Sequence, residues 1–143
     1  MMALLAGALI WAGCKKKLPD GFEETPEIRL LSVEPTSIQQ FQDSIIINLE
    51  YKDGDGDLGF EHPDSLSLRV QDARLTKPDW YFVKPLAPLD SKVPIQGILT
   101  FRLSGTFILG NGNQETTTFT IDLKDRNDNW SNQVVTPTIT ITK

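Results

Sequence analysis

Cysteine is nearly missing from this chain, with one residue, Cys14, among 143. No disulfide can form within it, so folded stability has to come from a packed core. Long apolar runs are missing too: the longest, Met1 to Gly13, falls short of the roughly 20 residues that a membrane-spanning helix requires. The single histidine, His62, lies beside Pro63 in a polar stretch and has no accompanying nucleophile motif. Triad-type hydrolysis is therefore not expected, and the chain is not expected to be an enzyme. Positive charge is scarce, 14 basic against 19 acidic groups, and three of the basic ones cluster at Lys15, Lys16 and Lys17. The remainder is acidic enough to repel phosphate backbones, which argues against nucleic acid as a partner and suits divalent cations.

The one cysteine directly follows the apolar run, in the local sequence Ile10-Trp11-Ala12-Gly13-Cys14. An apolar segment of that length ending in small residues has the form of an export signal. It resembles the bacterial lipoprotein signal, and the resemblance implies cleavage before Cys14 and acylation of its thiol. The absence of Lys or Arg before the apolar run implies that the natural start lies upstream of Met1. Residues 1–13 are thus expected to be a signal peptide and residues 14–27 a lipid-anchored cysteine with a polar tether. The tether includes the Lys15–Lys17 collar for anionic headgroups and a spacer with two prolines, Pro19 and Pro26. The expected place is the cell envelope, anchored by lipid to the outer membrane.

Residues 28–143 carry strand chemistry throughout. Ile45, Ile47, Leu49 and Tyr51 alternate with polar residues, as do Leu66, Leu68 and Val70; Leu99, Phe101 and Leu103; Phe119, Ile121 and Leu123; and Ile139 and Ile141. A period of two marks half-buried strands. Turn signals separate them at Asp53–Gly56, Lys77–Asp79, Pro85–Pro94, Gly110–Asn113 and Asn127–Asn129. About seven short strands at that spacing predict an all-β, antiparallel two-sheet sandwich of immunoglobulin-like type. Pro137 predicts an edge strand or a strand that changes sheets. A hairpin pairing residues near Phe107 with residues near Thr117 is expected around the Asn-rich turn. The loop Tyr51-Lys-Asp-Gly-Asp-Gly-Asp-Leu-Gly59 and the segment Asp125–Asn132 resemble a group of Gram-negative lipoproteins that share a DGDGD-[IL]-G loop. That resemblance implies the compartment and the sandwich, and no activity.

The Asp loop is the one constellation able to carry chemistry. Asp53, Asp55 and Asp57 place carboxylates at alternate positions of a tight loop, the arrangement by which calcium collects six to eight oxygens. On a twelve-residue calcium loop, Gly59 would offer its carbonyl, Glu61 and Asp64 would fall at the later ligand positions, and Leu58 occupies the place normally held by glycine. Leu58 and the strand-like flanks exclude an EF-hand, but not another calcium loop built on the same alternation. In an immunoglobulin-like order the loop after the second strand and the loop before the last share one end, so Asp125, Asn127 and Asp128 are expected to complete the site. The competing reading is a plain Asp-Gly turn facing water. Trp80, Tyr81 and Trp130 are either core and end-capping rings or an exposed platform for a glycan or an envelope protein. The expected role is a binding or structural module stabilised by calcium; the alternative is a carbohydrate-binding or adhesive module working through those rings, and the least favoured is a small hydrolase working through a carboxylate.

Overall fold

A computed structural model describes residues 17–143. The expectations at Cys14, at residues 1–13 and at Lys15 and Lys16 lie outside the described residues. The described chain is all-β, in ten strands: β1 (Glu27–Glu34), β2 (Ser37–Gln39), β3 (Ile45–Asp53), β4 (Leu66–Asp72), β5 (Asp79–Phe82), β6 (Ile95–Leu103), β7 (Gln114–Thr117), β8 (Phe119–Leu123), β9 (Val134–Val135) and β10 (Ile139–Thr142).

Three hydrogen-bonded ladders arise from them, in the orders β1-β3-β6, β2-β10-β7 and β5-β4-β8-β9. All pairs are antiparallel except β2 with β10, which is parallel. The excess over seven strands comes from breaks within strands. Thr118 alone separates β7 from β8, and Thr136–Thr138 separate β9 from β10. Pro137 has no N–H to continue the ladder. At this break Thr136 keeps the pair together, its N–H donating to the Phe119 carbonyl at 2.9 Å and its hydroxyl accepting the Phe119 N–H at 2.9 Å. The first strand likewise changes sheets across Glu34-Pro35, whose peptide bond is cis. Joined across these breaks, the runs make the sandwich of two layers.

The core follows the period-two rows. In β3, Ile45, Ile47 and Leu49 are fully buried, and in β8 Ile121 and Leu123 face them with Phe119. Ile38, Leu58, Leu68, Val70, Ile139 and Ile141 complete the fully buried apolar set between the layers. Each such side chain contributes about 1.5–3 kcal/mol over an exposed one.

Two expected features differ. Leu66 is exposed, because a bulge between Leu66 and Leu68 turns the row over and buries Ser67 instead. The Phe107–Thr117 hairpin is not formed: Gln114–Thr117 pairs with Ile139–Thr142. The Glu115 carboxylate accepts the Leu109 and Gly110 N–H groups at 3.0 and 2.6 Å, and so closes an irregular loop where a ladder was expected.

At this end of the sandwich the row Leu68, Val70 terminates in Asp72, a buried carboxylate. Burial pushes its pKa up, but hydrogen bonds from the Arg74 guanidinium and the Thr117 hydroxyl outweigh that and hold it below the usual carboxylate range. Asp72→Asn should therefore cost about 2–3 kcal/mol in denaturant unfolding at pH 7, because a largely buried guanidinium loses its nearest partner. The stability owed to Asp72 is present above the unfolded carboxyl's pKa of about 4 and lost as pH falls through the depressed folded value. The difference between the two proteins should accordingly shrink on acidification below about pH 4.

Candidate metal site

The core row of β3 does not stop at Tyr51. Its next member is Asp53, which is fully buried. Asp53 Oδ2 accepts the N–H groups of Asp57 at 2.8 Å and Leu58 at 3.2 Å, and this folds the Asp-Gly segment back over the carboxylate. Gly56 makes the tight turn with φ +72°, and a Cβ there would lie 2.4 Å from the Val93 carbonyl oxygen. Gly54 donates its N–H to the Glu23 carbonyl at 2.7 Å. Leu18 and Glu23 thus lie directly against the Asp loop. Leu58, which has no counterpart in an EF-hand loop, is the loop's anchor. It is fully buried, bridges to Asp125, and its carbonyl accepts the Leu86 N–H at 3.0 Å.

Held this way, Asp53, Asp55 and Asp57 each present a carboxylate oxygen within 4.8 Å of the others, a group that could hold a metal ion. Asp53 Oδ1, Asp55 Oδ1 and both oxygens of Asp57 are buried with no hydrogen-bond donor. None of the ion pairs among the described residues involves these three aspartates. Oxygens packed on oxygens require a proton or a cation between them. Burial, then the neighbouring Asp55 charge, raises Asp53 to about 6. Burial, then the charges of Asp125, Asp55 and Asp53, raises Asp57 to about 7. A cation at the convergence point would offset both the mutual repulsion and the cost of burying the charges, and would give the donor-less oxygens a partner.

The other candidate residues divide. Asp125 is brought in: it is fully buried, and its charge acts on Asp57. Its oxygens accept the backbone and side-chain N–H groups of Asn129, both at 2.8 Å, so it stands outside the triad as a neighbouring charge with spare lone pairs. Asn127 touches the triad, its Nδ2 donating to Asp55 Oδ2 at 3.1 Å. Asp128 is not brought in; it is solvent-exposed and paired with Lys124 Nζ at 2.8 Å. Glu61 and Asp64 are exposed and lie outside the convergent group, and the Gly59 carbonyl accepts Arg126 Nη1 at 2.8 Å. The twelve-residue calcium-loop register therefore holds only for its first three carboxylates. Past Leu58 the chain turns into the sandwich, so Glu61 and Asp64 cannot follow the curvature a helix-flanked loop would give them.

Arg126 and Asn129 carry weight that residue spacing alone did not reveal. The Arg126 N–H also donates to the Asp57 carbonyl at 3.2 Å, pinning the Asp loop to the Asp125 segment. The burial of Asp53 and Asp125 did have a sequence signal: each occupies the next position of a core row, after Tyr51 and after Leu123.

The aromatic candidates do not act as one group. Trp80 and Trp130 meet edge to face, with centroids 5.7 Å apart, and Trp80 is 39% exposed. The Arg69 guanidinium stacks 4.4 Å from the Trp130 ring, Lys124 lies 5.9 Å from it, and Arg69 is itself paired with the buried Asp122. Tyr81 points to the other side and packs on Phe101, 6.1 Å between centroids. Comparison with protein-family models, with curated proteins and with solved structures gives no match.

The raised acids have a measurable sign. An acid whose folded pKa is raised favours folding below its unfolded pKa, and that contribution is lost as pH rises through the folded value. For Asp53 and Asp57 the loss spans about pH 4 to 7. Metal-stripped Asp57→Asn should then melt on the order of 5 °C above the metal-stripped parent at pH 8 and close to it at pH 4. Equal melting temperatures at pH 8 would show that the acid cluster carries no repulsion.

Proposed function

We propose that this chain is an exported, lipid-anchored binding or structural module, without catalytic activity, whose Asp loop is organised by calcium. The observation that carries the metal assignment is the convergence of three carboxylates in which four buried oxygens lack donors. Calcium is favoured over magnesium by the ligands: clustered carboxylates on a glycine-containing loop, with an amide side chain and carbonyls nearby. Those suit a large ion of flexible coordination better than one that demands a near-ideal octahedron. The ion would fix the turn at the end of β3, and the Arg126 N–H bond to the Asp57 carbonyl would pass that order on to the segment beginning at Asp125. A self-repelling loop would become a rigid edge on which a partner surface can be held. The lipid anchor rests on the apolar run ending at Gly13-Cys14 and is consistent with a compartment in which calcium is plentiful.

Thermal unfolding of the full chain tests the metal. With a dissociation constant of about 10⁻⁴–10⁻³ M, as for other extracellular sites, calcium at about 10 mM should stabilise by about 1.5–3 kcal/mol. Magnesium at the same concentration should give a smaller shift, and Asp53→Asn should abolish the calcium effect. A melting temperature that does not move with calcium would remove the assignment. For the anchor, intact-mass analysis of the membrane fraction should show two or three acyl chains on a chain beginning at Cys14, and Cys14→Ser should leave the protein unacylated. A single acyl chain binds a membrane only marginally, so retention in the membrane is itself informative. Unmodified Cys14 in the native host would overturn the anchor.

A further inference from the structure

β6 is an edge strand. In the order β1-β3-β6 it pairs with β3 alone, through nine consecutive residue pairs from Ile45–Leu103 to Asp53–Ile95 with no bulge. In an antiparallel strand paired on one side, alternate residues turn their N–H and C=O groups outward. No other described backbone segment bonds to these groups. The flanking loops also leave the edge open. Before β6 the chain is held at the metal-site end, with the Val83 carbonyl accepting from Phe60, Leu86 donating to Leu58, and Val93 lying on Gly56. After β6 it departs to the opposite end, where the Thr106 carbonyl accepts the Phe41 N–H.

The opposite edge of the same sheet is protected. There the Asn132 side chain accepts the Ile28 N–H and donates to the Ile28 carbonyl, both at 2.8 Å, and β1 carries a bulge between Leu30 and Ser32. The strands that end the other two ladders, β2, β5, β7 and β9, are only three, four, four and two residues long. β6 has none of these devices: no proline, no lysine, no bulge, and Ile98 64% exposed at its middle.

We propose that the β6 edge is a pairing surface for the β6 of a second copy of this chain, joining two three-stranded sheets into one of six. The strand's own sequence argues for that occupant. Antiparallel pairing of two identical strands with full nine-residue overlap is centred on Leu99. In that register Ile98 faces Thr100 of the second copy, Gly97 faces Phe101, and Gln96 faces Arg102. The space over Gly97 is already filled by the Tyr51 ring of its own chain, so the pairing is decided on the outer face, where apolar and β-branched side chains meet and the strand's one charged residue meets an amide rather than its own copy. The register keeps the inward and outward rows of both copies in phase, as a continuous sheet requires.

Sedimentation equilibrium of the full chain in mild detergent tests this, with calcium held constant so that the result does not depend on the metal site. The unmodified chain should show a monomer–dimer equilibrium. Ile98→Lys, which puts a charge in the centre of the pairing, should weaken it at least tenfold without lowering the melting temperature of the monomer. Gln96→Glu, opposite Arg102 twice per dimer, should tighten it about threefold, and Gln96→Lys should weaken it by a similar factor. A chain that stays monomeric at high concentration, or a dimer indifferent to Ile98→Lys, would overturn the proposal. Equal effects of Gln96→Glu and Gln96→Lys would overturn the Leu99-centred register.

Discussion

The structure turns on buried carboxylate charge and on what neutralises it at each end of the sandwich. Three core rows run out into aspartate: β3 into Asp53, β8 into Asp125 and β4 into Asp72, each buried where an aliphatic side chain would continue the pattern. At the end where β4 terminates the acid is answered within the chain. Arg74 and Thr117 donate to Asp72, and Arg74 ties it to Glu115, so the charges close on themselves. At the other end Asp53 and Asp125 are joined by Asp55 and Asp57, and no lysine or arginine forms an ion pair with the triad. One end is closed by its own side chains, and the other leaves four buried carboxylate oxygens without a hydrogen-bond donor.

That asymmetry explains the loop's residue choices. A turn that merely reversed the chain would be made with asparagine or serine, and would place its side chains in water. Here the Asx-type closure on Asp53 turns the loop inward, and the glycines let it press on the backbone at Glu23 and Val93. Leu58 then inserts where a calcium loop flanked by helices would need glycine, because this loop is fixed by an apolar anchor in the core. The same anchor makes the site a joint between chain segments. Leu58 meets the Leu86 and Asp125 segments, and Arg126 reaches back to both Asp57 and Gly59.

Period-two alternation carried most of the architecture. It marked the buried rows of β3, β8 and β10 because those strands are regular and lie at the centre of their sheets. It failed where a local device intervened. The Leu66–Leu68 bulge exposed a leucine that the pattern buries, and the Glu115 carboxylate closed a loop that turn residues alone marked as a hairpin. Within the candidate site, Asp53, Asp55 and Asp57 were legible because their convergence depends only on local turn geometry. Asp128 and Glu61 were misplaced because their direction depends on where the neighbouring segments pack. The role of Arg126 arises from a contact across 67 residues of sequence, and no spacing reveals such a contact.

The two layers differ in how finished they are. The layer containing β4 and β8 is bounded by short strands and held across its centre by the Arg69 clasp between Trp130 and Asp122 and by Thr136 at the Pro137 break. The layer containing β3 is sealed on the β1 side by Asn132 and left open along β6. An unbroken nine-residue edge is an aggregation hazard unless its pairing is specified. The β6 sequence limits that hazard, since its single charge, Arg102, opposes another Arg102 in any antiparallel register centred there and disfavours slippage toward that end. The two ends of the β3–β6 ladder are unlike: at one, Asp53 pairs with Ile95 beside the Asp loop, and at the other Ile45 pairs with Leu103, so the open edge begins where the acidic cluster ends.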